Sequence, residues 1–217
     1  MAASAPSLLA FGAWSPEQVE TRWLADRFEP PDEVERLADD AVEELRRRGS
    51  PCHDGLAARL AGHESSPERL TLELQPSRWA LRLVEGDASY SLTALCVVRS
   101  ADGRWLAGRR AGWLATWANR WALGAGGAVD VGENPVQTLA RELEEEWRLV
   151  PERLRVAALA ALPNGLAMLV GVATVPDSAA PVPDDEHDEW AWWPATVAAW
   201  PDEADGRLRA MAQLLVR

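Results

Sequence analysis

The spacing of apolar positions changes along the chain from helical to extended and back. Ser15-Pro16-Glu17 opens a segment carrying Val19, Trp23 and Leu24 that reads as a helix, ended by Pro30-Pro31. A second helix is predicted over 32–48, with Val34, Leu37, Val42 and Leu45 on one face and Gly49 and Pro51 beyond it. Residues 1–50 therefore read as helical, and 52–66 as a loop with room for a short helix. Leu70-Thr71-Leu72-Glu73-Leu74 alternates as a half-buried strand does, 79–84 reads as its partner, and Gly86-Asp87 marks a turn.

From about residue 91 the pattern becomes more apolar. Residues 92–98 form a nearly continuous apolar run, suited to a central strand. The turn Ser100-Ala101-Asp102-Gly103 follows, and 104–109 return as a second strand. Further strands are expected over 156–162, 166–175 and 189–193, and a closing helix over 202–216 with Leu208, Met211, Leu214 and Leu215 on one side. Strands covered by helices on both faces make an α/β or α+β sandwich. The chain divides on this reading into an N-terminal helical and β extension, 1–88, and a second domain, 89–217.

Charge narrows the possible partners. Acidic side chains outnumber basic ones 34 to 22 for a net charge of −12, and with no lysine in the sequence every basic side chain of that count is arginine. Such a surface disfavours long nucleic acids, which are bound by neutralising phosphates. It does not disfavour a small diphosphate, because a metal ion reverses the local field. Cys52 and Cys96 have no metal-ligand spacing, and Cys96 sits in an apolar run as a small core residue. With no basic-then-apolar leader and no stretch approaching ~20 apolar residues, a cytoplasmic, membrane-free setting is the expectation.

The chemistry concentrates in 127–149, GAVDVGENPVQTLARELEEEWRL. Asn134 is a good N-cap and Pro135 suits the first helical position. Val136, Leu139, Ala140, Leu143 and Trp147 then make an apolar stripe, and Glu142, Glu145 and Glu146 fall together on another face. Like charges at this spacing repel unless water or a cation sits on them. Magnesium is often held by a few carboxylates and substrate phosphates. An acidic helical face beside a glycine-rich turn is thus a candidate metal–diphosphate site.

This segment resembles the Nudix box: glycine, five residues, glutamate, seven residues, Arg-Glu, an aliphatic residue, any residue, Glu-Glu, any residue, glycine, an aliphatic residue. Gly127, Glu133, Arg141, Glu142, Leu143, Glu145, Glu146 and Leu149 fall in register. Arg148 stands where the family has a glycine that often takes positive φ, which suggests a differently shaped helix end here. The resemblance implies a Nudix-type α/β/α sandwich with a mixed sheet. It implies hydrolysis of a nucleoside diphosphate linked to another group, with Mg²⁺ or Mn²⁺. It also implies Glu142, Glu145 and Glu146 as metal ligands, one of them (Glu142 in some members) serving instead as base. A carbonyl at Gly126 or Gly127 would be a further ligand. Arg141 would orient the glutamates, and Glu133 would fix the glycine loop.

Later acids complete the candidate set. In 184–189, Asp-Asp-Glu-His-Asp-Glu, Glu186 is the first choice for an acid reaching the metals and Glu189 the second; His187 reads as an exposed loop histidine rather than a base. Arg109 and Arg110 are candidate phosphate contacts, and Trp113, Trp117 and Trp121 candidate stacking residues, although most of the 12 tryptophans must serve packing. The run from Arg47 through Cys52-His53-Asp54-Gly55 to Arg59-Leu60 loosely resembles the segment preceding the domain in nucleotide-sugar Nudix hydrolases, which tilts the substrate toward a nucleotide sugar. The N-terminal extension is a candidate dimerisation element. The alternatives are a Nudix-fold sensor with little turnover and an allylic-diphosphate isomerase. The isomerase lacks its cysteine and histidine constellation near the box.

Overall fold

The structure is a computed structural model that describes residues 6–50, 52 and 54–216. It contains strands β1 (Ser7–Trp14), β2 (Val19–Trp23), β3 (Leu56–Ser65), β4 (Leu70–Arg78), β5 (Leu92–Ser100), β6 (Trp105–Arg110), β7 (Trp121–Leu123), β8 (Ala125–Ala128), β9 (Arg153–Ala161), β10 (Ala167–Val175) and β11 (His187–Trp193). Its α-helices are α1 (Asp32–Arg47), α2 (Pro135–Trp147) and α3 (Gly206–Leu215).

The larger sheet runs β1-β9-β10-β5-β6-β11, with β7 on β6 and β8 on β5. The β10–β5 pair is parallel and its neighbours antiparallel, so the sheet is mixed. On β5, Leu92, Ala94, Cys96 and Val98 enter one apolar cluster, while Leu95 and Val97 face the other. A strand buried on both faces reads as a continuous apolar run, which is why 92–98 was legible as central. Leu139, Leu143 and Trp147 of α2 cover the first face; Leu208, Ala212 and Leu215 of α3, with Trp193 and Trp200, cover the second. The result is the expected mixed α+β sandwich.

The N-terminal part departs from its reading. Residues 7–23 form β1 and β2 joined by a 3-10 turn, not a helix. Trp14 and Val19 face the core at the ends of these strands, and the alternation needed for β pairing is masked by the short Ser15-Pro16 corner. Residues 56–65 are β3 rather than a loop, pairing with β4 in a three-stranded sheet ordered β2-β4-β3. Residues 79–83 are a 3-10 turn, not a partner strand. Leu81 and Ala80 are completely buried there beneath Val34, Ala38 and Val42 of α1, a tertiary contact that overrides the strand-like composition. The second helix ends within a residue of its expected limit.

The boundary near residue 89 is crossed repeatedly. β1 lies at the edge of the larger sheet beside β9. Ala58 donates its N–H to the Val129 carbonyl at 2.8 Å, and Leu60 donates to the Tyr90 carbonyl at 2.9 Å, so β3 splints both the loop that leads into α2 and the entry to β5. Leu60, Leu70, Leu72 and Leu74 share one apolar cluster with Leu92, Val129 and Leu139. Among the described residues, no helix is long and apolar enough to cross a membrane.

Candidate metal–diphosphate site

α2 begins as its sequence requires. Asn134 is extended and its side chain accepts the N–H of Val136 at 3.0 Å, while the Gln137 side chain accepts the N–H of Asn134 at 3.0 Å, closing a capping box with Pro135 behind it. The helix ends at Arg148, which lies in the left-handed region (φ 54, ψ 34). Its N–H bonds back to the Glu144 carbonyl at 2.9 Å and that of Leu149 to the Leu143 carbonyl at 3.5 Å. Arginine thus adopts the backbone a glycine would supply, and the differently shaped helix end expected from this departure does not occur. The αL exit is set by the burial of Leu149, which draws the chain back onto the core.

Arg141 is the hub of the helix face. Its guanidinium donates to Glu133 (3.2 Å), Glu142 (2.8 Å) and Glu145 (3.0 Å) and to the Ala128 carbonyl (3.4 Å). Glu133 also accepts the Thr138 hydroxyl at 2.7 Å, which ties the glycine loop to the helix. Burial pushes the Glu133 carboxyl up, but the Arg141 and Thr138 hydrogen bonds outweigh it and hold the group below its ordinary value.

The glutamates are not equivalent. Glu145 is 57% exposed and turned toward Arg141. Glu142 is 13% exposed and lies directly against Gly127, where a Cβ would collide with its carboxylate; this close approach is what that glycine permits. Burial first, and then the charges of Glu145 and Glu186, push Glu142 up to about 7 despite Arg141. Glu146 is 4% exposed. One of its oxygens accepts the Gly126 N–H at 2.9 Å, and the other, Oε2, is buried without a hydrogen-bond partner. Burial, with Glu186 and Glu142 nearby, raises its pKa well above the ordinary value.

Glu186 reaches this cluster from the other side of the sequence. The terminal carbonyls of α2 hold its loop: Val182 donates to Trp147 and Asp184 to Glu146, each at 2.9 Å, giving partners to groups that a helix end leaves unsatisfied. Asp184 then turns the chain by accepting the Glu186 N–H at 3.0 Å. The Glu186 carboxylate pairs with Arg110 at 3.2 Å, and burial raises its pKa. Glu189, the second choice, is exposed and paired with Arg109 at 2.8 Å.

His187 is buried, not an exposed loop residue. Its ring lies 4.3 Å from that of Trp147, its Nδ1 is 3.3 Å from Asp184 and its Nε2 3.7 Å from Glu146. Burial lowers its pKa and favours the neutral ring. Gly108 on β6 makes the room, since a Cβ there would approach Trp147 to 2.7 Å and strike the His187 ring. Trp121 is partly buried, packing against the second cluster with its ring 5.4 Å from that of Trp193. Trp113 and Trp117 are exposed on the β6–β7 loop, which starts at the Arg110–Glu186 pair and is held by the Ser50 hydroxyl donating to the Trp113 carbonyl at 2.6 Å. Pro51 and His53 of the nucleotide-sugar resemblance lie outside the described residues. Asp54 pairs with Arg78 at 2.6 Å, and Arg59 stacks 3.9 Å over Phe28, both fastening the extension.

Sequence reasoning passed over Arg82 and Thr93. Arg82 donates to the Thr93 hydroxyl at 3.0 Å, and Thr93 donates to the Gly127 carbonyl at 2.7 Å. An arginine between apolar residues upstream of the box was the available signal.

The donor set suits a hard divalent cation: carboxylates, a glycine carbonyl and an unpartnered buried oxygen on Glu146. Among the described residues, no three acid, histidine or cysteine side chains are already closed into a ligating shell. Convergent carboxylates with raised pKa values are what a cation would relieve.

The mixed sandwich thus sets an acidic, arginine-braced helix behind a glycine loop. The model of the NUDIX domain matches residues 89–215, more than half of the chain, and the protein belongs to the Nudix family as a pyrophosphohydrolase acting on phosphoanhydride bonds. Similar solved structures include DR0079 from Deinococcus radiodurans (20% identity over 59% of this chain and 84% of that one, TM-score 0.49). The MutT protein from Methanosarcina mazei Go1 is another (23%, 58% and 92%, TM-score 0.45). A third is the NUDIX domain of Shewanella oneidensis NrtR complexed with ADP ribose (22%, 57% and 87%, TM-score 0.44). No match is found among curated proteins.

Proposed function

We propose that this protein cleaves the diphosphate linkage of a nucleoside diphosphate joined to another group, a nucleotide sugar being the favoured class, with Mg²⁺ or Mn²⁺ as cofactor. The observation that carries the reading is the convergence of half-buried Glu186 on Glu142 and buried Glu146, with one Glu146 oxygen unpartnered. When bound, divalent ions neutralise phosphate charge and make a water more acidic. Glu142, Glu146 and the Gly127 carbonyl would hold them, with Glu145 and Glu186 at the edges of the set. Glu146 is aimed by the Gly126 N–H, and Glu142 by Arg141. If Glu142 serves instead as base, Glu145 and Glu146 hold the ions and Glu142 accepts the proton of the attacking water on Oε2, the oxygen that Arg141 leaves open. Arg109 and Arg110 would face phosphates, and Trp113 and Trp117 would supply aromatic surface to a base or sugar.

The second reading is a Nudix-fold sensor with little turnover: Arg148 does not favour it, because it preserves the helix exit, whereas the lead-in WALGAGGAVDVGE, without the family's usual proline, does. The test is a magnesium- or manganese-dependent release of nucleoside monophosphate from UDP-sugars, dinucleotides and nucleoside triphosphates. Turnover with a chelator in excess of metal, or full turnover in Glu146→Gln, would reject the proposal.

A further inference from the structure

Arg82 lies on the 3-10 turn Trp79–Leu83, upstream of the family-matched residues 89–215. The turn is rigidly seated, because Ala80 and Leu81 are fully buried under α1. The Arg82 guanidinium passes 5.7 Å from the Trp79 ring and donates one hydrogen bond, to the neutral Thr93 hydroxyl. A guanidinium has five N–H donors. Among the described residues, no carboxylate lies within ion-pair distance of it, in a chain where acids outnumber bases 34 to 22. The charges that act on it are those of Glu142 and of a second guanidinium, Arg110. Burial pulls its pKa down to about 10.

Arg82 is half-buried, and its one hydrogen bond goes to a hydroxyl that itself donates to the Gly127 carbonyl, so the guanidinium is held beside the glycine loop with donors left for a ligand. Those donors suit an anion with several oxygens, since guanidinium groups match phosphate oxygens in pairs. We propose that Arg82 is a substrate-binding residue contributed by the N-terminal extension, acting with Arg110 on the phosphoryl oxygens of the diphosphate. The assignment rests on the diphosphate reading above and adds to it a residue outside the catalytic domain proper. It gives the extension a direct part in the site, through a turn clamped by α1.

The test uses the full chain with Arg82→Gln, which keeps a donor for Thr93 but loses the charge, and Arg82→Lys, which keeps the charge. The probe is inorganic pyrophosphate with magnesium, followed by titration calorimetry, together with KM for whichever diphosphate substrate is turned over. Arg82→Gln should weaken pyrophosphate binding by roughly 10- to 100-fold and raise KM in parallel, with Arg82→Lys within about tenfold of the wild type. Unchanged affinity in Arg82→Gln overturns the proposal. Equal losses in both variants overturn it too, because they would make Arg82 a support for Thr93 and Gly127. Tight, Arg82-dependent pyrophosphate binding without hydrolysis of any substrate would sink the hydrolase reading and leave this assignment standing. Hydrolysis untouched by Arg82→Gln would do the reverse, and a wild type that binds no pyrophosphate would end both.

Discussion

Replacing Arg148 by glycine should stabilise the protein. The residue occupies φ 54, ψ 34 at the end of α2, is exposed, and its side chain makes no hydrogen bond or ion pair among the described residues. A residue with a Cβ in this region costs roughly 1–2 kcal/mol over glycine. Glycine in turn gives the unfolded chain more freedom, a loss of about 0.4–1 kcal/mol. The difference favours Arg148→Gly by about 0.5–1 kcal/mol, and the backbone bonds to Glu144 and Leu143 need no rearrangement. For a chain of this size that is a rise of roughly 1–4 °C in Tm. Arg148→Ala is the matched control: it removes the same side chain but keeps the Cβ, so it should leave Tm near the wild type. Differential scanning calorimetry on the three proteins at one pH and salt decides the matter. Equal Tm for Arg148→Gly and Arg148→Ala, or a drop in the glycine variant, would refute the claim that the backbone here is strained.

Glu146→Gln removes a proposed metal ligand and should cut kcat by more than the roughly 10- to 100-fold that losing a ligand's supporting partner costs, yet raise the melting temperature at pH 8 without metal, because a buried carboxylate of raised pKa is replaced by a neutral amide; a parallel fall in both would contradict the assignment. Glu142 predicts a pH trend: its proton is held more tightly in the folded state (about 7 against 4.5), so its contribution is present below pH 4.5 and lost as pH rises through 7, a span worth about 3 kcal/mol. Denaturant titrations at pH 5 and 8 should show this loss, with magnesium restoring more at pH 8; metal stabilisation equal at both values would count against it. Gly108→Ala should destabilise by about 1–3 kcal/mol through the contact with Trp147 and His187, and a neutral result in a melting curve would show that these rings can move aside.

The second half of the fold was legible because burial on both sides of β5 and β10 writes continuous apolar runs, and because α2 carries its own cap, stripe and acidic face. The first half was not. β2 and β3 owe their strands to pairing with β4, and their polar outward residues (Glu20, Arg22, Glu64) dilute the alternation. The 3-10 turn at 79–83 has a strand's composition but α1 for a neighbour. In the site, the box glutamates could be named from spacing alone, but spacing does not tell which are buried: Glu145 faces Arg141, while Glu146 sits under Gly126. His187 looked exposed because its neighbours in sequence are acids; the space left by Gly108, a residue on another strand, draws it inward. Arg82 was hidden for the same reason, since its partner Thr93 and its proximity to Glu142 exist only once the chain has closed.

Because the final carbonyls of α2 grip the backbone that delivers Glu186, the helix terminus acts as a single fastening for two otherwise separate acids. Fraying of that last turn on warming would let both go together. Heat inactivation should then precede global unfolding as one abrupt step, and the enzyme's upper working temperature would be set by a few residues rather than by the whole sandwich.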